Sequence, residues 1–245
     1  MVGRIHGVTA GACLLGVLLL SSCAVSQALV ISADGSGTLA THVDVSPLLR
    51  DYVLSLADIS GGPAKEGRVF DAEATRKDFQ SRPGITVKRA ETPTPSSLDL
   101  DLAFESLQDV VRGQDALANA GAVVVEDNGD RRTLRLHLDR STWGQVASLF
   151  PPLRDPVFAQ LGPQGTGQVS EADYLSMIKF SIGEDAPALL RKSFITLTVQ
   201  PDGEILAQAG GTVSGNTVVF RIPVLRVLVL DRALDYSVTF RIPPS

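Results

Sequence analysis

The last strand pattern of the chain narrows the fold more than any other feature. Leu234, Tyr236, Val238, Phe240 and Ile242 alternate with Asp235, Ser237, Thr239 and Arg241. Successive side chains of a strand point to opposite faces, so this segment has one dry face and one wet face. A strand of that kind belongs to a sheet covered on one side, which is the habit of antiparallel sheets. The alternation recurs at Leu39, Thr41, Val43 and Val45 against Ala40, His42 and Asp44, and again at Leu98, Leu100, Leu102 and Phe104 against Asp99 and Asp101. Asp34-Gly35-Ser36-Gly37, Asn128-Gly129, Asp202-Gly203 and Gly215-Asn216 supply turns between such strands, and each predicts a hairpin.

The N-terminus follows a different rule. Val8 to Leu20 is an apolar run of about a dozen residues behind Arg4 and His6, too short for a spanning helix, which needs roughly 20. Leu20-Ser21-Ser22-Cys23 closes it. These four residues resemble the lipobox of bacterial lipoproteins at every position. The resemblance covers about the first 24 residues. It implies cleavage before Cys23 and a diacylglycerol thioether with an N-acyl chain on that cysteine (palmitate among the acyl groups). Two or three chains anchor stably, because each buried methylene contributes roughly 0.8 kcal/mol. The resemblance further implies a cell-envelope protein on the exported side of the cell membrane or outer membrane, with Ala24 compatible with the latter.

Cleavage leaves 223 residues and one cysteine, itself acylated, so the mature chain forms no disulfide although its compartment permits one. Loss of Arg4 leaves 21 basic against 27 acidic side chains, a net charge of −6. An acidic chain without a basic tract argues against nucleic acid and against electrostatic docking to anionic lipid. The acyl group is the membrane attachment the sequence offers.

Residues 1–22 are thus a signal peptide, 23–27 the lipidated cysteine with a short tether, and 28–245 one α+β domain; a division into two lobes near 114–121 stays open. Ser46-Pro47 predicts a helix carrying Leu48, Leu49, Tyr52, Val53 and Leu56. Asp71 starts a second helix. Ser141 is expected to cap a third, bearing Trp143 and Val146, and Ser170-Glu171-Ala172-Asp173 reads as a capping box ahead of Tyr174, Leu175, Met177, Ile178 and Ile182. Ile222 to Leu230 is the most apolar mature stretch and reads as a strand buried on both faces; the sharper reading makes it the wall of an apolar cavity or a partner-facing strand. Roughly nine strands and five helices without a βαβ rhythm give the class: α+β, an antiparallel sheet built of hairpins with a central helical block on one face.

Few residues carry chemistry. His42 and His137 fall at wet positions of strands, and two histidines without a Glu-x-x-His grouping make no zinc site. Asp99 and Asp101 share one strand face, and a Mg²⁺ or Ca²⁺ there would need further oxygens. Residues 162–173 match the second half of an EF-hand loop at Gly167, Val169 and Asp173, but Gly162 and Gln164 stand where the first carboxylates belong. Gly211-Thr-Val-Ser214-Gly places its serine one position late for a nucleophile elbow. Cys23, as the lipidation site, is therefore the one site residue, and no catalytic, cofactor or metal residue is assigned. The leading expectation is a membrane-anchored envelope lipoprotein acting as a non-enzymatic binding or assembly module, its partner an envelope protein or a lipid. A carrier of a hydrophobic ligand and a hydrolase with a dispersed site are the alternatives.

Overall fold

In the computed structural model, residues 24–60, 67–114, 121–148, 161–163 and 169–243 are described. The expected signal peptide, Cys23, most of the possible lobe boundary near 114–121 (residues 115–120) and the middle of the EF-like loop lie outside them. Strand β1 (Ala24–Ile31) turns through Asp34-Gly35 into β2 (Gly37–Asp44), antiparallel, with Ala24 opposite Asp44 and Ile31 opposite Gly37. Gly35 adopts a φ of 89°, open to glycine without strain. Strand β4 (Ser97–Phe104) adds to β2, and β3 (Ile85–Glu91) adds to β4. On its other side β1 meets β7 (Phe194–Pro201) in parallel; β10 (Thr217–Pro223) and β9 (Thr212–Ser214) then complete a sheet of order β3-β4-β2-β1-β7-β10-β9. A second sheet runs β5 (Val123–Asn128), β6 (Arg131–Leu138), β11 (Leu234–Arg241), β8 (Ile205–Ala209). The α+β class and the mostly antiparallel pairing agree with the alternation in the sequence. Strands from both sides of residues 114–121 share the seven-stranded sheet.

The two sheets close on each other. Leu29, Ile31, Val199, Val218 and Phe220 from the larger sheet form one cluster with Val125, Leu134, Val238 and Phe240 from the smaller. These are the dry positions of the alternating strands, and their burial is the main favourable term. Helix α1 (Pro47–Ser60) follows β2. Helix α2 (Ala72–Gln80), capped by Asp71, sets Phe79 on Ala90, Leu100 and Leu102. Helix α3 (Leu107–Arg112) precedes β5, and α4 (Arg140–Ser148) lends Trp143 and Ala147 to the main cluster. Helices α5 (Glu171–Ile182), α6 (Ala186–Lys192) and α7 (Val224–Val229) share a second cluster of Tyr174, Leu175, Ile178, Leu190, Leu225 and Val229, with Leu48 of α1 against it. This block sits at the end of the larger sheet where β2 and β10 finish and β1 and β7 begin: α6 runs into β7, α7 leaves β10, and the Val224 N–H donates to the Ser193 carbonyl at 3.0 Å.

Four expectations need correction. The Ile222–Leu230 run is not one strand: β10 ends at Pro223 and α7 begins at Val224. Pro223 lacks the N–H a central strand would use, and a helix buried all round carries the same unbroken apolar run as a buried strand. Residues 24–27 are not a tether. They are strand, paired on both sides, with Ala24 opposite Asp44 and Phe194. The Asp202-Gly203 turn closes no hairpin but passes the chain from one sheet to the other. Asp202 ties this corner to β1, donating its N–H to the Ile31 carbonyl and accepting from Ala33 N–H. Helix α4 is capped by Asp139, whose Oδ1 accepts from Thr142 N–H at 2.8 Å and from Ser141 Oγ at 2.7 Å; Ser141 is already inside the helix.

Candidate binding cleft

Strand alternation puts Arg221 on the opposite side of β10 from Phe220 and Ile222, and its guanidinium lies 4.3 Å above the Phe194 ring. Two residues on, Pro223 turns the chain into α7, which swings Arg226 to the same side. Leu230, at a φ of 43°, ends that helix in the left-handed conformation and sends Asp231, Arg232 and Ala233 back toward β11. The result is an open cleft of about 510 Å³ lined by Arg221, Arg226, Arg232, Asp235 and Tyr236 above Pro223. Gly210 forms part of its wall because a Cβ there would lie 2.6 Å from the Tyr236 ring.

The cleft has a positive lining. Arg226, mostly buried, is 3.7 Å from Asp231. Burial raises the Tyr236 hydroxyl above its ordinary pKa and the Arg226 charge partly opposes that rise, which leaves the phenol a neutral donor. Asp235, the acidic wall residue, is held 2.6 Å from His137 Nδ1. Three guanidiniums and a phenol supply donors, beside an Asp235 carboxylate of which one oxygen is engaged by His137. That arrangement suits an anion with several oxygens. A second cleft of about 370 Å³ contains Arg140. This arginine donates to the carbonyls of Val229, Leu230 and Pro163 at 2.8–3.1 Å, and so satisfies the end of α7.

The residues singled out in the sequence lie elsewhere. His42 and Asp99 are direct cross-strand partners on the wet face of the larger sheet, with Nδ1 2.6 Å from Oδ1. Arg89 on β3 reaches Asp99 at 3.5 Å and donates to Asp101 at 3.0 Å, so the aspartate pair faces a cation of its own sheet. His137 is paired across strands with Asp235 on the smaller sheet, and its Nε2 is 3.4 Å from Asp139. Its pKa is raised, chiefly by the Asp235 hydrogen bond. Asp139 is held well below the usual carboxylate range, first by Ser141 and then by the Thr142 N–H. The two histidines stand in different sheets and form no common centre. Among the described residues no group of three or more histidine, cysteine or acidic side chains could hold a metal ion. Asp173 of the EF-like loop accepts from Ser170 Oγ at 2.7 Å, as a capping residue does. Sequence reading missed the arginine cleft because Arg221, Arg226 and Arg232 show no motif spacing; only the helical turn of α7 and its left-handed end bring them together.

Among the described residues no helix is long and apolar enough to cross a membrane. No protein-family model matches the chain, and no curated protein matches it. Among solved structures it is similar to the NMR structure of the folded domain of Mycobacterium tuberculosis LppM, at 11% identity, a TM-score of 0.44 and 91% coverage of each chain.

Proposed function

We propose that the chain is a cell-envelope lipoprotein, acylated at Cys23, whose domain is a non-catalytic module binding a phosphate-bearing or similarly polyanionic ligand in the arginine cleft. One observation carries the reading. Ala24 is already a paired residue of a central strand, opposite Asp44 and Phe194. A residue spans at most about 3.6 Å, so lipid on Cys23 leaves the domain no slack. The cleft lies at that same end, since Pro223 is opposite Phe194 and Phe194 is opposite Ala24. Ligand at a bilayer surface would meet the arginines directly. The acidic balance of the whole chain does not oppose this, because charges farther than about 10 Å are screened at ordinary salt. The open, cation-lined shape supports a surface-bound headgroup more than an enclosed lipid tail.

Two measurements test the reading. Labelled palmitate is incorporated in vivo and is lost in Cys23→Ser; absence of incorporation in the native chain refutes the anchor. Dihexanoyl phosphatidylglycerol, titrated into the purified protein below its micelle concentration, shifts the amide signals of 221–236, whereas dihexanoyl phosphatidylcholine does so more weakly. Arg221→Gln with Arg232→Gln removes the difference. Equal response to both lipids, or no effect of the substitutions, refutes the cleft.

A further inference from the structure

We propose that the exposed face of α5, carrying Met177 and Phe180, lies in the bilayer interface as a second attachment beside Cys23. The proposal rests on the anchored reading above. It adds the side chains that set the domain's orientation.

Among the described residues, Met177, Phe180 and Val213 are the large apolar side chains left exposed, and Phe180 is 93% exposed. Single exposed apolar residues need no explanation. Met177 and Phe180 are different, because a spacing of three puts them on one helix face. Tyr174, Leu175 and Ile178 are buried against α6 and α7; Phe180 lies opposite them, and Met177, 37% exposed, stands at the edge between the two faces. Phe180 follows Ile178 by two residues, which on a helix is about 200° away. No rotation of α5 buries both sides within this domain.

The occupant of the exposed face follows from where the preceding chain enters. The apolar run Val8–Leu20 and then Cys23 lead into Ala24. Ala24 lies at the sheet end against which α5, α6 and α7 are built. Any apolar group that Cys23 or the preceding run gives to a bilayer therefore brings the membrane to this end of the fold. The charges fit a partly sunken helix. Lys179, to the side of Phe180 around the helix, is half exposed and ion-paired with exposed Glu184 at 2.8 Å, and Arg191 and Lys192 are exposed at the end of α6. Such cations extend to the headgroups while neighbouring rings enter the acyl boundary. Glu171 and Asp173 lie at the far end of α5, and exposed Glu184 and Asp185 follow its C-terminal end, so that end enters only to the headgroup level, with Phe180 lowest.

The test uses the acylated full-length product reconstituted in mixed phosphatidylglycerol and phosphatidylcholine vesicles. Ser181→Cys places a thiol for an environment-sensitive dye beside Phe180, and Asn128→Cys places a control in the β5–β6 hairpin. Lipid bearing a nitroxide near the headgroup should quench the dye at 181 and leave the dye at 128 unquenched. Met177→Asp with Phe180→Asp should abolish quenching at 181 while palmitate labelling, vesicle association and circular dichroism stay as in the parent. The proposal is overturned if 181 is quenched no more than 128, or if the double substitution leaves quenching unchanged. It is equally overturned if the dye responds to protein concentration and not to lipid, which would assign the face to a second copy. Failure of palmitate incorporation counts against the anchor alone. Quenching at 181 is then read on the same chain with added vesicles, so the two failures are told apart.

Discussion

Removing the Asp127 carboxylate should damage the fold more than removing the arginine it faces. Arg132 projects from β6 between the sheets with its side chain 9% exposed, whereas Asp127 is 36% exposed. Nε and Nη2 donate to the two Asp127 oxygens at 2.7 and 2.9 Å, and the buried Nη1, beside the Gly35 turn, has no hydrogen-bond partner among the described residues. In Asp127→Ala the guanidinium stays charged and buried with every donor unpaired. Breaking a fully buried pair in this way costs roughly 3–5 kcal/mol; water reaching the exposed Asp127 side lowers the expectation to about 2–3 kcal/mol. Arg132→Met leaves a carboxylate that can turn to solvent and fills the site with an apolar stem, so it should cost at most about 1 kcal/mol. Urea unfolding gives both values as midpoint shifts at unchanged slope. The Arg132 hydrogen bonds hold Asp127 below its ordinary pKa. A folded pKa below the unfolded one means that the stabilisation is complete above about pH 4 and fades as pH falls through the folded value. The difference between the parent and Asp127→Ala should therefore narrow in acid. The reasoning is refuted if Arg132→Met costs as much as Asp127→Ala, or if the difference is the same at about pH 7 and about pH 2.

His137 titrates the other way. Its folded pKa lies above the unfolded value of about 6.5, so its contribution is present in acid and is lost as pH rises through the folded value. Asp235→Asn should lower the imidazole titration seen by proton NMR and flatten the Tm profile on the alkaline side of pH 6.5; an unchanged titration would show that Asp235 is not the cause. Gly203→Ala would place a Cβ 1.7 Å from the Arg241 carbonyl. It should cost roughly 1–3 kcal/mol by overpacking, and a urea midpoint equal to the parent's would mean that this corner packs differently.

Elements whose signal is local were readable. The β1–β2 and β5–β6 hairpins, the caps at Asp71 and Ser170, and the leucine face of β4 all depend on neighbours within a few residues. The Asp202-Gly203 turn misled because the same turn chemistry serves a hairpin or a passage between sheets, and distant strands decide which. His42 and His137 were correctly placed on wet faces, but their carboxylate partners come from cross-strand register, which no spacing along the chain reveals.

Period-two alternation by itself determined that this chain builds half-covered, mostly antiparallel sheets, because one apolar face per strand must be buried and one must meet water. Tertiary structure alone decided that Val224–Val229 coils, that β1 starts at Ala24 between two partners, and that Arg221, Arg226 and Arg232 converge. A continuous apolar run satisfies a buried strand and a buried helix equally, and β1 gains its second partner, β7, from a segment well over a hundred residues away. Such choices are made by the packing of the whole.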